Sequence, residues 1–265
     1  LIDQGDYMPP RGDEVTAAIA ADPTITHAVV VHCEISLGIL NPVKEISDAV
    51  KASGRKLLVD SMSGFGALPL DMGEVTCEAF VSSANKCLEG VPGFGFVIAR
   101  NTALKAAKGC SHSLSLDVHA QWANMEKTGQ WRFTPPTHVV SAFIEALRIH
   151  AAEGGVAGRG ERYARNRDVL VTGMRQLGFE TLLKDRWLSP IIVTFFNPAH
   201  SGFDFTRFYE LMKARGFIIY PGKLTVADSF RMGRIGRLDQ QHMQAALVAV
   251  RNMLDQFGID QVGTP

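Results

Sequence analysis

Apolar residues gather along this chain in short runs, each ending on polar or small residues at a turn. His27-Ala28-Val29-Val30-Val31-His32 is apolar almost throughout, the pattern of a strand buried on both faces. Leu57-Leu58-Val59 ends on the carboxylate of Asp60, and Ala79-Phe80-Val81 leads through Ser82-Ser83-Ala84-Asn85 to Lys86. A further run from Gly93 to Ala99 follows a Gly-Val-Pro turn. Between the first two runs, Asn41-Pro42 opens a helix that carries Val43, Ile46 and Val50 on one stripe and closes at Gly54. An earlier helix is predicted over 13–21. The order strand, helix, strand, short connection, strand argues for an α/β fold with a mostly parallel sheet and helices on both faces. No crossover helix fits before the Gly93 run, so that strand is expected to be antiparallel to its neighbour.

Beyond Arg100 the pattern turns helical. A short helix is predicted over 101–108, while 110–121 carries little periodic signal. Pro135-Pro136 fixes a loop, after which Thr137 is expected to cap a helix running to 152. A helix over 159–177, stopped by Gly178, leads into a second unit. There 191–196, 217–220 and 229–235 read as strands and 204–215 and 239–257 as helices, a small α+β layer. The expected organisation is a large unit over 1–178 and a smaller C-terminal α+β domain over 179–265.

Composition narrows the function. Lys plus Arg equals Asp plus Glu, 27 each, so no whole-chain field draws in nucleic acid or acidic membranes, and Trp122, Trp131 and Trp187 are scattered. No apolar run approaches the ~20 residues that a membrane span needs. Cys33, Cys77, Cys87 and Cys110 lack CxxC spacing, which argues against zinc and a disulfide framework and for reduced thiols in the cytoplasm. His27 and His32, five apart on one strand, point to opposite faces, so no metal site is expected. No signal peptide opens the chain; its first residue is Leu1, and a truncated or processed start is expected.

The chemistry centres on Asp60 and Lys86. In an open α/β sheet, ligands collect at the carboxyl ends of the strands, where both residues fall. An amine made neutral by its surroundings can condense with an aldehyde. A carboxylate beside a pyridine nitrogen keeps that nitrogen protonated and the ring electron-accepting. The expectation is that Lys86 forms a Schiff base with pyridoxal phosphate and Asp60 supports the ring nitrogen. Either residue alone reads more readily as a solvated lysine or a turn carboxylate; it is the pairing that favours the cofactor.

Five blocks in order extend the picture. They are His32-Cys33-Glu34 with Gly38-Ile39-Leu40-Asn41-Pro42, Val59-Asp60-Ser61-Met62-Ser63, and Ser82 to Lys86 continuing to Phe96. Gln130 to His138 and Ser229-Phe230-Arg231-Met232-Gly233 complete the set. Together these resemble the class V aminotransferases among the fold type I pyridoxal-phosphate enzymes. The nearest branch is the one that moves an amino group from 2-aminoethylphosphonate to pyruvate, giving phosphonoacetaldehyde and L-alanine. The resemblance implies that Lys86 and Asp60 are catalytic and hold the cofactor. It implies further that Met62 packs on one ring face, that Asn85 lies near the phosphate, and that Thr134 reaches the phosphate bound by a neighbouring copy in a homodimer. Arg231 matches an arginine that grips a substrate carboxylate; Arg132, Arg234 and Arg237 are phosphonate candidates by charge alone. Leu37 stands where relatives carry a hydroxyl beside the ring oxygen, which leaves Ser36 to substitute. Gly64 replaces a serine or alanine. Family members carry a further segment in front of this start, holding a phosphate-cupping turn. Two other readings stay open: exchange of the alanine–glyoxylate or serine–pyruvate type, and a catalytically silent truncated chain.

Overall fold

The structure of the chain is a computed structural model, describing residues 1–2, 5, 7–222, 227–260 and 262–263. Helix α1 (Gly12–Ala21) leads into strand β1 (His27–Val31). A two-residue pair, β2 (Cys33–Glu34) and β3 (Ile39–Leu40), then forms a small hairpin ahead of helix α2 (Val43–Ala52). Strands β4 (Lys56–Asp60), β5 (Ala79–Ser83) and β6 (Gly95–Ala99) follow. Helices α3 (Asn101–Ala106), α4 (Val118–Thr128), α5 (Thr137–Ala152) and α6 (Gly155–Gln176) come next. The last part holds β7 (Ile192–Phe196), α7 (Phe205–Ala214), β8 (Tyr220–Pro221), β9 (Ser229–Gly233) and α8 (Gln240–Phe257).

The main sheet has the order β1-β4-β5-β6, with parallel β1–β4 and β4–β5 pairs and an antiparallel β5–β6 pair. The antiparallel turn-back of β6 follows from the short connection, as expected. Register places Val30, Val59 and Phe80 on one face, where they join Val15, Ile19, Ile46 and Val50 of α1 and α2 in one buried cluster. Alternation sends Val29, Leu58 and Val81 to the other face, and all three are exposed, Val29 by 70%. Helices α1 and α2 thus pack closely on one face of this row of strands, while on the other Val81 and Val97 line a cavity together with residues from 118–126.

A second, antiparallel sheet of order β7-β9-β8 packs on α7 and α8 around Phe195, Phe208, Phe230 and Met253. The second half of α6 joins this core through Leu170, Val171 and Met174. Between the two sheets lies the β2–β3 hairpin. Its residue Gly38 accepts at its carbonyl from Ser189 N (2.9 Å), Leu37 O accepts from Thr194 Oγ1 (2.6 Å), and Leu37 packs on the C-terminal core.

Three local expectations change. Helix α4 forms in a stretch without clear periodicity because its ends are well made: Asp117 accepts from Ala120 N, and Gly129 closes it in the left-handed region at φ 70°. Thr137 is the first helical residue of α5, not its cap; Pro136 holds the cap position with no side-chain bond. Residues 217–219 fall outside any strand, and pairing starts only at Tyr220 opposite Arg231.

Helix α6 comes unusually close to the loop after β4. At Gly160 a Cβ would overlap the carbonyl oxygen of Ala67. Gly160→Ala, a change worth up to about 1 kcal/mol in favour of an ordinary helix, is expected to lower stability here instead. Urea unfolding of the two proteins gives the sign.

Candidate active site

Parallel pairing of β4 with β5 puts both of their carboxyl ends on the same edge, with Asp60 opposite Val81. Lys86 follows five residues later, in the turn after β5. The two loops are tied side by side. Ser61 N donates to Val81 O (2.9 Å), Ser82 Oγ to Ser61 O (3.1 Å), and Cys87 Sγ to Ser63 O (3.0 Å). The acid and the amine therefore project from adjacent, mutually bonded loops.

Asp60 Oδ1 accepts from Met62 N at 2.8 Å, a local turn that fixes the carboxylate. The Asp60 carbonyl accepts from His32 N (2.7 Å). Oδ2 is left free among the described residues. Lys86 is half-buried, and among the described residues its amine makes neither hydrogen bond nor ion pair. Asn85 is also half-buried and without a side-chain bond among them. Such groups are what an incoming ligand can engage.

The residue that sequence reasoning missed is Ser83, which it passed over as part of the run leading to Lys86. By alternation from Val81 its side chain shares the face of Asp60. Its hydroxyl is buried with no partner. Only its hydroxyl is visible in the sequence; that it lies two positions along the strand from the residue paired with the acid is set by the register. An orphaned hydroxyl, an unpaired amine and a free carboxylate oxygen are the donor and acceptor types that pyridoxal phosphate requires, so these residues fit that cofactor.

The other expected residues divide. Met62 and Thr134 line the same cavity of about 870 Å³, together with Ser82, Phe94, Trp131 and Phe133. Thr134 is exposed there. Ser36 lies in the β2–β3 hairpin, where its N and Oγ both donate to Glu34 Oε1 (2.7 and 2.8 Å). Arg231, on β9, reaches that same hairpin: Nη1 donates to Ile35 O at 2.9 Å and Nε to Pro221 O at 3.1 Å. Burial lowers the Arg231 pKa, while Tyr220 and Glu34 oppose the shift. No contact joins Arg231 or Ser36 to Lys86 among the described residues. Of the charge candidates, Arg234 is excluded. It has no exposed surface, burial lowers its pKa to about 9, and its guanidinium is used on the carbonyls of Ser189, Pro190 and Met232. Arg132 is committed to Leu114 O, and Arg237 is exposed.

Residues 6–226 match the family model described as aminotransferase class-V. A 2-aminoethylphosphonate–pyruvate transaminase of Rhizobium meliloti (strain 1021) is 72% identical over all of this chain and 69% of its own length. One from Paraburkholderia xenovorans (strain LB400) is 64% identical over all of this chain and 68% of its own length. The chain thus spans about two thirds of these relatives. Among solved structures, a pyridoxamine–pyruvate aminotransferase from Mesorhizobium loti superposes with a TM-score of 0.85 at 22% identity, covering 96% of this chain and 65% of that one. An alanine–glyoxylate aminotransferase from Nostoc gives 0.83 at 19% identity, covering 96% and 67%. At such identities the superpositions establish the shared fold.

Beside Asp60, His32 is buried, with Nδ1 3.0 Å from Ser61 Oγ, and desolvation lowers its pKa to about 4. The unfolded chain therefore binds the extra proton between pH 6.5 and 4. The stability this gives is complete above pH 6.5 and is lost as pH falls to 4, by about 3 kcal/mol. Denaturation curves across that range are expected to slope more steeply for the wild type than for His32→Asn.

Proposed function

The chain belongs to the aminotransferase class-V family, and on that premise we propose that it carries the amine, acid and hydroxyl of a pyridoxal-phosphate site transferring the amino group of 2-aminoethylphosphonate to pyruvate. The observation that supports this most directly is the pair of bonded loops presenting Asp60 and an unpartnered Lys86 at one sheet edge. When bound, pyridoxal phosphate supplies an aldehyde that takes up an amino group and a protonated ring that withdraws electrons from it.

The residues take separate tasks. Lys86 Nζ is the amine that would hold the aldehyde, and once released it would carry a proton to and from the substrate carbon. Asp60, oriented by the Met62 amide, would hold a proton on the ring nitrogen through its free oxygen. Ser83 and Asn85 would donate to the phosphate, and Met62 would exclude water from one ring face. Ser36 would meet the ring oxygen by turning away from Glu34. Arg231 offers a planar fork to the carboxylate of pyruvate, with its Ile35 bond holding it near the hairpin.

The remaining parts of the reading rest on less. Thr134, exposed at the cavity rim, suits contact with a cofactor held by a second copy, which makes the working unit a homodimer. Four free cysteines suit a reducing compartment, the cytoplasm. No helix among the described residues is long and apolar enough to cross a membrane. We divide the chain at 178/179 into a cofactor-binding unit and a smaller C-terminal unit.

Adding pyridoxal phosphate should produce a new absorbance band that 2-aminoethylphosphonate removes and pyruvate restores, with release of L-alanine. Lys86→Ala should abolish the band and slow turnover by at least about 10²-fold. Response to another amine but not to 2-aminoethylphosphonate would exclude the proposed substrate. Ser83→Ala should weaken cofactor binding by about 1 kcal/mol, roughly fivefold in Kd at equilibrium dialysis.

A further inference from the structure

Lys86 sits in a turn whose shape is held from outside the sheet. Glu89 N donates to Lys86 O (2.8 Å) and Gly90 N to Ala84 O (2.8 Å), closing the turn. Glu89 has φ 56°, the one non-glycine residue in the left-handed region among those described. Such a conformation persists only when the surroundings over-determine it.

Those surroundings are one face of α6. Glu89 Oε1 accepts from Tyr163 Oη at 2.6 Å and from Arg162 Nη2 at 2.8 Å, with Arg159 Nη1 at 3.5 Å. Arg159, with no exposed surface, donates Nη1 to Cys87 O at 2.6 Å, the carbonyl of the residue next to Lys86. Glu153 closes the group by accepting from Arg159 Nε and Arg162 Nε, each at 2.6 Å. The other side of Arg162 reaches the loop after β9, donating Nη1 to Gly236 O (2.6 Å) and Leu238 O (3.2 Å). One set of charges thus grips both the Lys86 turn and the segment that follows Arg231.

Buried ion pairs are seldom better for stability than apolar residues of equal volume, so their geometry is the more telling feature. Here one arginine ends on the Cys87 carbonyl next to Lys86, and both converge on Glu89 in the same turn. We propose that Glu89 is a positioning residue for Lys86: its carboxylate, held by Tyr163 and Arg162, sets the turn that aims the amine. This rests on the cofactor reading above for its catalytic meaning, but not for its test.

The test compares Glu89→Gln, Glu89→Ala and Glu89→Gly with the wild type. In the absence of cofactor, acylation of Lys86 by an amine-reactive ester is followed by peptide mapping, with exposed Lys44 and Lys105 as internal standards. Glu89→Ala and Glu89→Gly should raise the relative rate at Lys86 by about threefold or more, as a loosened turn exposes the amine, and leave the standards unchanged. Glu89→Gln keeps an acceptor for Tyr163 and Arg162 and should recover most of the wild-type rate. With pyridoxal phosphate and borohydride, the fraction trapped on Lys86 should fall by about tenfold in the Ala and Gly variants. A Glu89→Gly protein matching the wild type in acylation would show that only the backbone angle matters and would overturn the proposal. So would equal changes at Lys44 and Lys105, which mark general unfolding. Absence of any trapped adduct on Lys86 in the wild type defeats the cofactor reading instead, and the acylation rates still decide the role of Glu89.

Discussion

Because β4 and β5 run parallel, each must finish at the same edge of the sheet, and whatever follows them is forced together. Four residues separate Lys86 from the position paired with Asp60, and the bonds from Ser61, Ser82 and Cys87 leave the two loops little freedom. An antiparallel pair would have sent the acid and the amine to opposite ends. The buried row of Val30, Val59 and Phe80 keeps that register, since a slip by one residue would turn the whole row outward.

Polar groups around this edge are either fully bonded or conspicuously free. Arg234 and Ser82 are buried and bonded to backbone carbonyls, and Arg159 divides its guanidinium between the Glu153 carboxylate and the Cys87 carbonyl. Ser83 Oγ is buried without a partner, and Lys86 Nζ and Asp60 Oδ2 make no bond among the described residues, all three at the carboxyl end of β4 and β5.

Much of this was legible beforehand, for reasons that can be named. The strands announced themselves because they are short, apolar and bounded by turns, and Asp60 and Lys86 stood out as charges at their ends. Helix α4 did not, because its identity lies in Asp117 and Gly129 at its limits rather than in a hydrophobic stripe. Ser83 was legible only as a small residue; knowing that its hydroxyl faces the acid requires the register. Arg234 looked like a ligand candidate because charge is visible in a sequence and burial is not. Leu37 read as the loss of a hydroxyl; in three dimensions it is half-buried against the C-terminal core, and its own carbonyl takes a bond from Thr194.

The contact of Gly160 with Ala67 has a mechanical meaning. Helix backbone touches loop backbone there with no side chain between them, so neither can slide or roll without displacing the other. The same helix carries Leu170 and Met174 into the C-terminal core. One unbroken helix therefore ties the stretch beyond Asp60 to the C-terminal core, backbone against backbone at one end and side chain against side chain at the other.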